Sequence, residues 1–116
     1  MNKDMCVACD DGILNIRVGA IIMKDGKILM VGNDRDYLYS VGGRVKFGET
    51  AEEAVAREIK EETGLSVTNA QYLFSLPNTY LYSGFEVHTI DLFFLCQVTS
   101  LQLLVPQDDV ESCQFM

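Results

Sequence analysis

The sequence predicts an α/β domain, with one helix packed on a sheet, and three observations carry that expectation. Runs rich in β-branched and aromatic residues lie on both sides of the middle of the chain. Between them stands a single capped, amphipathic segment from about Ala51 to Gly64. With 116 residues, 48% of them hydrophobic, the chain can bury one small core and has no room for a second domain. A single domain over residues 1–116 is expected, with 1–15 as a flexible leading segment.

In order, Ile13 to Met23 reads as a strand, Asp25-Gly26 as a tight turn and Ile28 to Val31 as the hairpin partner. Leu38 to Val41 is a short strand running into Gly42-Gly43. Thr50 followed three residues later by Glu53 is a capping box, which starts the helix near Ala51; Gly64 supplies the left-handed residue that stops it. Ala51, Ala54, Val55 and Ile59 form an apolar strip that sets one side of the helix against a sheet. Beyond Gly64, Val67 to Leu76 and Phe85 to Val98 read as strands, punctuated by the turn-prone pairs Pro77-Asn78 and Ser83-Gly84. Leu101 to Val105 reads as a further short strand before Pro106 and the acidic stretch Asp108-Asp109-Val110-Glu111.

The chemistry is concentrated on the helix and its approach. Glu58, Glu61 and Glu62 are spaced i, i+3 and i+4, so they share an arc of about 100°. Like charges this close cost an isolated helix ~0.2–0.5 kcal/mol per pair. A bound divalent cation reverses that sign. The acidic arc overlaps the apolar strip, so the carboxylates emerge at a buried margin. Arg57 has Glu53 and Glu61 within i, i+4 reach and can hold a carboxylate in one rotamer. Gly42-Gly43 lets backbone come close to phosphates, and Arg44 and Lys46 place cations beside it. An exposed helix laced with ion pairs is the ordinary alternative; the glycine pair, Glu49 in the approach loop and the narrow arc argue against it.

Composition sets further limits. A net charge of −8 and a pI near 4.4 argue against a nucleic-acid polymer as partner, since a phosphate backbone is met by a basic stripe. A single nucleotide held through metal ions stays compatible. The opening MNKDMCVACDDG holds no apolar signal core, and no run reaches the ~18–20 apolar residues of a membrane span, so a cytoplasmic protein is expected. Cys6 and Cys9 form a lone CxxC, half of a zinc site at most, and are expected as free thiols.

The run GRVKFGETAEEAVAREIKEETGL, Gly43 to Leu65, resembles the Nudix box: Gly43, Glu49, Arg57-Glu58-Ile59, Glu61-Glu62 and Gly64-Leu65 fall at the family's spacing. From about Arg17 onward the order of elements also resembles the Nudix fold, an α/β/α sandwich around a mixed sheet. Family members usually continue, after the region matching Val110 to Met116, into a second helix on the other sheet face, and this sequence stops there. A bare face would expose an apolar patch, so either a homodimer or the N-terminal segment is expected to cover it.

The resemblance implies a MutT-like hydrolase. Such enzymes use Mg²⁺, with Mn²⁺ as a substitute, to cleave a nucleoside diphosphate linked to another group by attack of water on phosphorus. The small-molecule substrate is then a nucleoside triphosphate, a nucleotide sugar or an ADP-ribose type of compound. The resemblance makes Glu58 and Glu62 metal ligands, with the Gly43 carbonyl as an extra one, and Glu61 a ligand or the base. Glu49 braces the loop and Arg57 orients a glutamate. Some members recruit a base outside the box, and Asp108, Asp109 and Glu111 lie where such an acid could enter. Gly42, Gly43, Arg44 and Tyr39 are the substrate-binding candidates, with Tyr37, Tyr80, Tyr82 and Phe85 as further stacking residues and Arg35 for a terminal phosphate. Val41 stands where many members carry proline, and Lys46 where an acid is common. His88 reads as a core or edge residue of a strand. A Nudix-derived module that binds a nucleotide without hydrolysing it is the reading from another class; the full acid set favours the enzyme.

Overall fold

The computed structural model describes residues 3–32, 38–101, 105–106 and 112–116. Among these residues, eight strands and one helix follow in the order β1 (Cys6–Cys9), β2 (Gly12–Ile21), β3 (Met23–Lys24), β4 (Lys27–Gly32), β5 (Leu38–Arg44), α1 (Ala51–Thr63), β6 (Val67–Tyr82), β7 (Phe85–Val98) and β8 (Ser112–Phe115). Across the sheet the order is β3-β4-β5-β2-β7-β6, with β1 added to β2 and β8 to β4. The sheet is mixed. The central pair β2 and β7 is parallel, with Val18 beside Leu92, and every other pairing is antiparallel.

Helix α1 begins and ends where its sequence dictates. Thr50 Oγ1 accepts from the Glu53 amide at 3.1 Å while the Thr50 amide donates to Glu53 Oε1 at 2.8 Å, so both halves of the capping box are made. Gly64, at φ 77°, closes the last turn by donating to the Lys60 carbonyl. Thr50→Ala removes one half of the cap and is expected to lower stability by about 1 kcal/mol, read as a lower denaturation midpoint. Ala54, Val55 and Ile59 are fully buried and share one core with Val18, Ala20, Val41, Phe94 and Cys96. The helix thus covers the sheet face carrying Val18 and Phe94. No helix among the described residues covers the other face, where the Phe93 ring lies over Gly19 and stacks on Phe74 at 5.2 Å.

The structure adds to the sequence reading at several points. The leading segment, expected as flexible, contains a strand: Cys6–Cys9 forms a hairpin with the start of β2, and Met5 donates to the Val45 carbonyl. Pro77-Asn78 does not turn the chain. β6 runs straight through it, because β6 is an edge strand and an edge tolerates a residue without an amide hydrogen. The reversal comes only at Ser83-Gly84, where both residues have positive φ, as at Asp25-Gly26. The expected strand at Leu101 to Val105 lies mostly outside the described residues: Leu101 has 3₁₀ geometry, 102–104 lie outside them, and Val105 donates to the Thr63 carbonyl. Finally, Ser112–Phe115 pairs with β4 as a strand, which sequence reading did not assign.

Candidate active site

The site forms where α1 meets the glycine pair of β5. Register sets Gly43 opposite Val18, on the face that α1 covers. A Cβ on Gly43 would lie 2.5–2.6 Å from the Glu58 carboxyl group, so the missing side chain is the space that carboxyl fills. One residue earlier, the Gly42 amide donates to Glu62 Oε2 at 3.1 Å. Gly43→Ala is therefore expected to push the Glu58 carboxyl, the far end of a flexible side chain, out of this place while changing stability little; thermal denaturation measures it.

Arg57 organises the acids. Its Nε and Nη2 grip both oxygens of Glu49 at 3.1 and 2.7 Å, Nη1 reaches Glu58 at 2.8 Å and Glu61 at 3.2 Å, and Nη2 also donates to the Arg44 carbonyl at 2.9 Å. Its partners differ in part from the expected ones, because Glu53 is spent on the helix cap. Glu49 in turn accepts from the Lys46 amide at 2.8 Å, which ties the approach loop to the helix. The bidentate Arg57 contact holds the Glu49 carboxyl below its usual range, and that same contact raises the guanidinium further.

Burial pushes the Glu58 carboxyl up, against the Arg57 hydrogen bond and charge that pull it down. Glu58 also meets the Glu62 carboxyl, and Glu62 is only 4% exposed. Two carboxylates in contact at a buried margin repel, and a cation between them relieves that repulsion. As they stand, no three His, Cys, Asp or Glu side chains among the described residues converge closely enough to hold a metal ion, since Glu58 and Glu61 turn toward Arg57. The donor set still suits a hard divalent cation: all carboxylate oxygens, with the Gly43 backbone alongside.

The remaining candidates fall in several places. Tyr39 is half-buried against the core. Arg44 pairs with Asp4 at 3.6 Å. Tyr80, Tyr82 and Phe85 lie at the far end of the β6–β7 hairpin. The row of Gly43 ends at Ser75, and Tyr80 is five residues on, about 17 Å at ~3.3 Å per residue. Tyr80 and the exposed His88 line a cleft of about 470 Å³ there, also away from the acids. Arg35, Tyr37, Asp108, Asp109 and Glu111 lie outside the described residues. Cys113 was missed: it sits on β8, where burial raises its thiol and the nearby Glu62 charge adds to the effect. The alternation of Ser112–Phe115 was the available signal for that strand, with Cys113 and Phe115 packing on the core.

This fold and constellation define a class, and comparison with known proteins agrees. The NUDIX domain model matches residues 14–116, and the chain belongs to the Nudix family. It is 36% identical over 106 residues to an ADP-ribose pyrophosphatase of Methanocaldococcus jannaschii, covering 86% of this chain and 60% of that protein. It is 44% identical over 59 residues to the NAD-capped RNA hydrolase NudC of Vibrio atlanticus, which is 48% of this chain and 22% of that one. The chain thus spans less than two thirds of these relatives. Its backbone superimposes on a MutT NUDIX hydrolase from Burkholderia pseudomallei with a TM-score of 0.76 at 25% identity, covering 88% of this chain and 81% of the other. No helix among the described residues is long and apolar enough to cross a membrane.

Proposed function

We propose that the chain is a divalent-metal-dependent pyrophosphohydrolase that cleaves a nucleoside diphosphate linked to a second group. The observation that carries this reading is the pair of carboxyls, the largely buried Glu58 and the buried Glu62, in contact beside a backbone that carries no side chain at Gly43. Glu58, Glu62 and the Gly43 carbonyl would hold Mg²⁺ or Mn²⁺. Bound there, the ion supplies charge neutralisation at the phosphoanhydride and an activated water.

The protein's own groups do the rest. Arg57 fixes Glu49, Glu58 and Glu61 in one arrangement, which lowers the entropy cost of assembling the site. Glu61, with a side chain 40% exposed, is the most open of the four acids joined to Arg57 or Gly42, and is the group proposed to take the proton of the attacking water. Attack on phosphorus then breaks the P–O bond of the anhydride. The names of the relatives, an ADP-ribose pyrophosphatase and a NAD-capped RNA hydrolase, support ADP-ribose and NAD-type compounds as substrates to test before nucleoside triphosphates.

The test is release of nucleoside monophosphate from ADP-ribose, an NAD-type dinucleotide and nucleoside triphosphates with Mg²⁺, for the parent and Glu61→Gln. Turnover by the parent, lost by about 100-fold in a variant that melts normally, is expected. A parent that binds these compounds without turnover would instead make the chain a nucleotide-sensing module.

A further inference from the structure

Two arginines stand directly opposite each other on the sheet face turned away from α1. Register pairs Arg17 of β2 with Arg44 of β5, while their neighbours Val18 and Gly43 lie on the helix side. Directly opposed side chains on antiparallel strands have Cβ atoms about 4.5–5.5 Å apart, and like charges placed so repel. An anion between the two guanidinium groups relieves that repulsion. We propose that Arg17 and Arg44 together bind a phosphate group, at a site separate from the Glu58–Glu62 pair.

The acids beside these arginines hold them loosely. Arg17 Nε meets Asp91 at 3.5 Å and Arg44 Nη1 meets Asp4 at 3.6 Å. Both contacts are longer than the roughly 2.7–2.9 Å of a charge-assisted hydrogen bond. Neither guanidinium makes a hydrogen bond among the described residues, and Asp4 also faces Lys46, which stands opposite it. Arg57 shows the contrast: its fork is filled by both oxygens of Glu49 at 3.1 and 2.7 Å. The Arg17 and Arg44 side chains remain 38% and 44% accessible, so a ligand can reach both. Half-exposed pairs of this length are weak enough for a better acceptor to displace.

Charge and shape select phosphate as the ligand. A planar guanidinium fork donates two parallel N–H bonds to the oxygens of a phosphate or a carboxylate. A carboxylate has two oxygens and one charge, enough for a single fork, whereas a phosphate dianion carries oxygens and charge for both. The chain has a net charge of −8 and only nine Lys and Arg residues, so most of its surface repels such an anion; here two of the nine adjoin. The phosphate is either free in solution or part of a nucleotide, and the recognition chemistry is the same for both. Arg17 drew no attention in the sequence, because only strand register brings it to Arg44.

Inorganic phosphate titrated into the full chain without divalent cation, with heat of binding as the readout, tests this apart from any hydrolysis. Saturable binding by the parent is expected, weakened at least ~5-fold in Arg17→Gln and in Arg44→Gln and unchanged in the Glu58→Gln/Glu62→Gln double variant. Asp91→Asn should tighten binding, because it frees Arg17 and removes a repelling charge; an ion pair with a structural role alone gives no such gain. Circular dichroism melts confirm that each variant folds, and Arg17→Lys, which keeps the charge without the fork, serves if Arg17→Gln does not. Competition with AMP identifies the source. AMP that displaces phosphate and itself binds more weakly to Arg17→Gln marks a nucleotide phosphate; phosphate that binds alongside AMP marks the free anion. No saturable phosphate binding by the parent overturns the proposal. So does equal affinity in the parent and both arginine variants, or binding lost only with Glu58→Gln/Glu62→Gln.

Discussion

Arg57→Ala is expected to lower the stability of the domain by about 2–4 kcal/mol, a fall of roughly 10–15 °C in midpoint. An exposed ion pair would contribute less than about 1 kcal/mol, but this one is not exposed. The side chains of Arg57, Glu49 and Glu58 are 22%, 13% and 14% accessible, so removing the guanidinium leaves two poorly solvated carboxylates without a counter-charge. Arg57→Lys should recover only part of the loss, since an ammonium cannot span both oxygens of Glu49 while reaching Glu58 and the Arg44 carbonyl. Acid dependence gives a second readout. The folded Glu49 carboxyl lies below its ordinary 4.5, so its contribution is complete above 4.5 and lost as pH falls through the folded value. Arg57→Ala should flatten that part of the acid-stability profile, as followed by thermal melts across pH.

Glu62→Gln is expected to cut hydrolysis by at least ~100-fold while leaving the melting temperature unchanged or slightly higher. The amide oxygen can still accept from the Gly42 backbone, and the amide nitrogen can donate to Glu58, where the parent sets two carboxyls against each other. Structure is kept and a charge is removed. Steady-state rates beside melting curves separate the two effects. A variant that loses activity only through unfolding would show that Glu62 is a core residue and nothing more.

The helix was legible in the sequence because its signals are local. Thr50, Glu53 and Gly64 each act within four residues, and the apolar strip fixes the face that packs. The acids Glu58, Glu61 and Glu62 were legible for the same reason. The partners of Arg57 were only partly so: Glu49 lies eight residues back across a loop, a distance that helical spacing does not measure. Pro77 misled because its meaning depends on whether its strand is central or at an edge, and that is a property of the whole sheet. The strand at Ser112–Phe115 was hidden because four residues carry little periodic signal, and it is defined by pairing with β4, 80 to 86 residues away. The proximity of Cys113 to the Glu62 charge was hidden with it.

The proposed hydrolysis depends most heavily on Glu58 and Glu62 forming a cation site beside Gly43. Titrating Mn²⁺ into the parent and into the Glu58→Gln/Glu62→Gln double variant, with heat of binding as the readout, tests this most directly. Saturable binding by the parent that weakens at least ~100-fold in a normally folded variant is the predicted result. Equal affinity in both, or no binding by the parent, would contradict it.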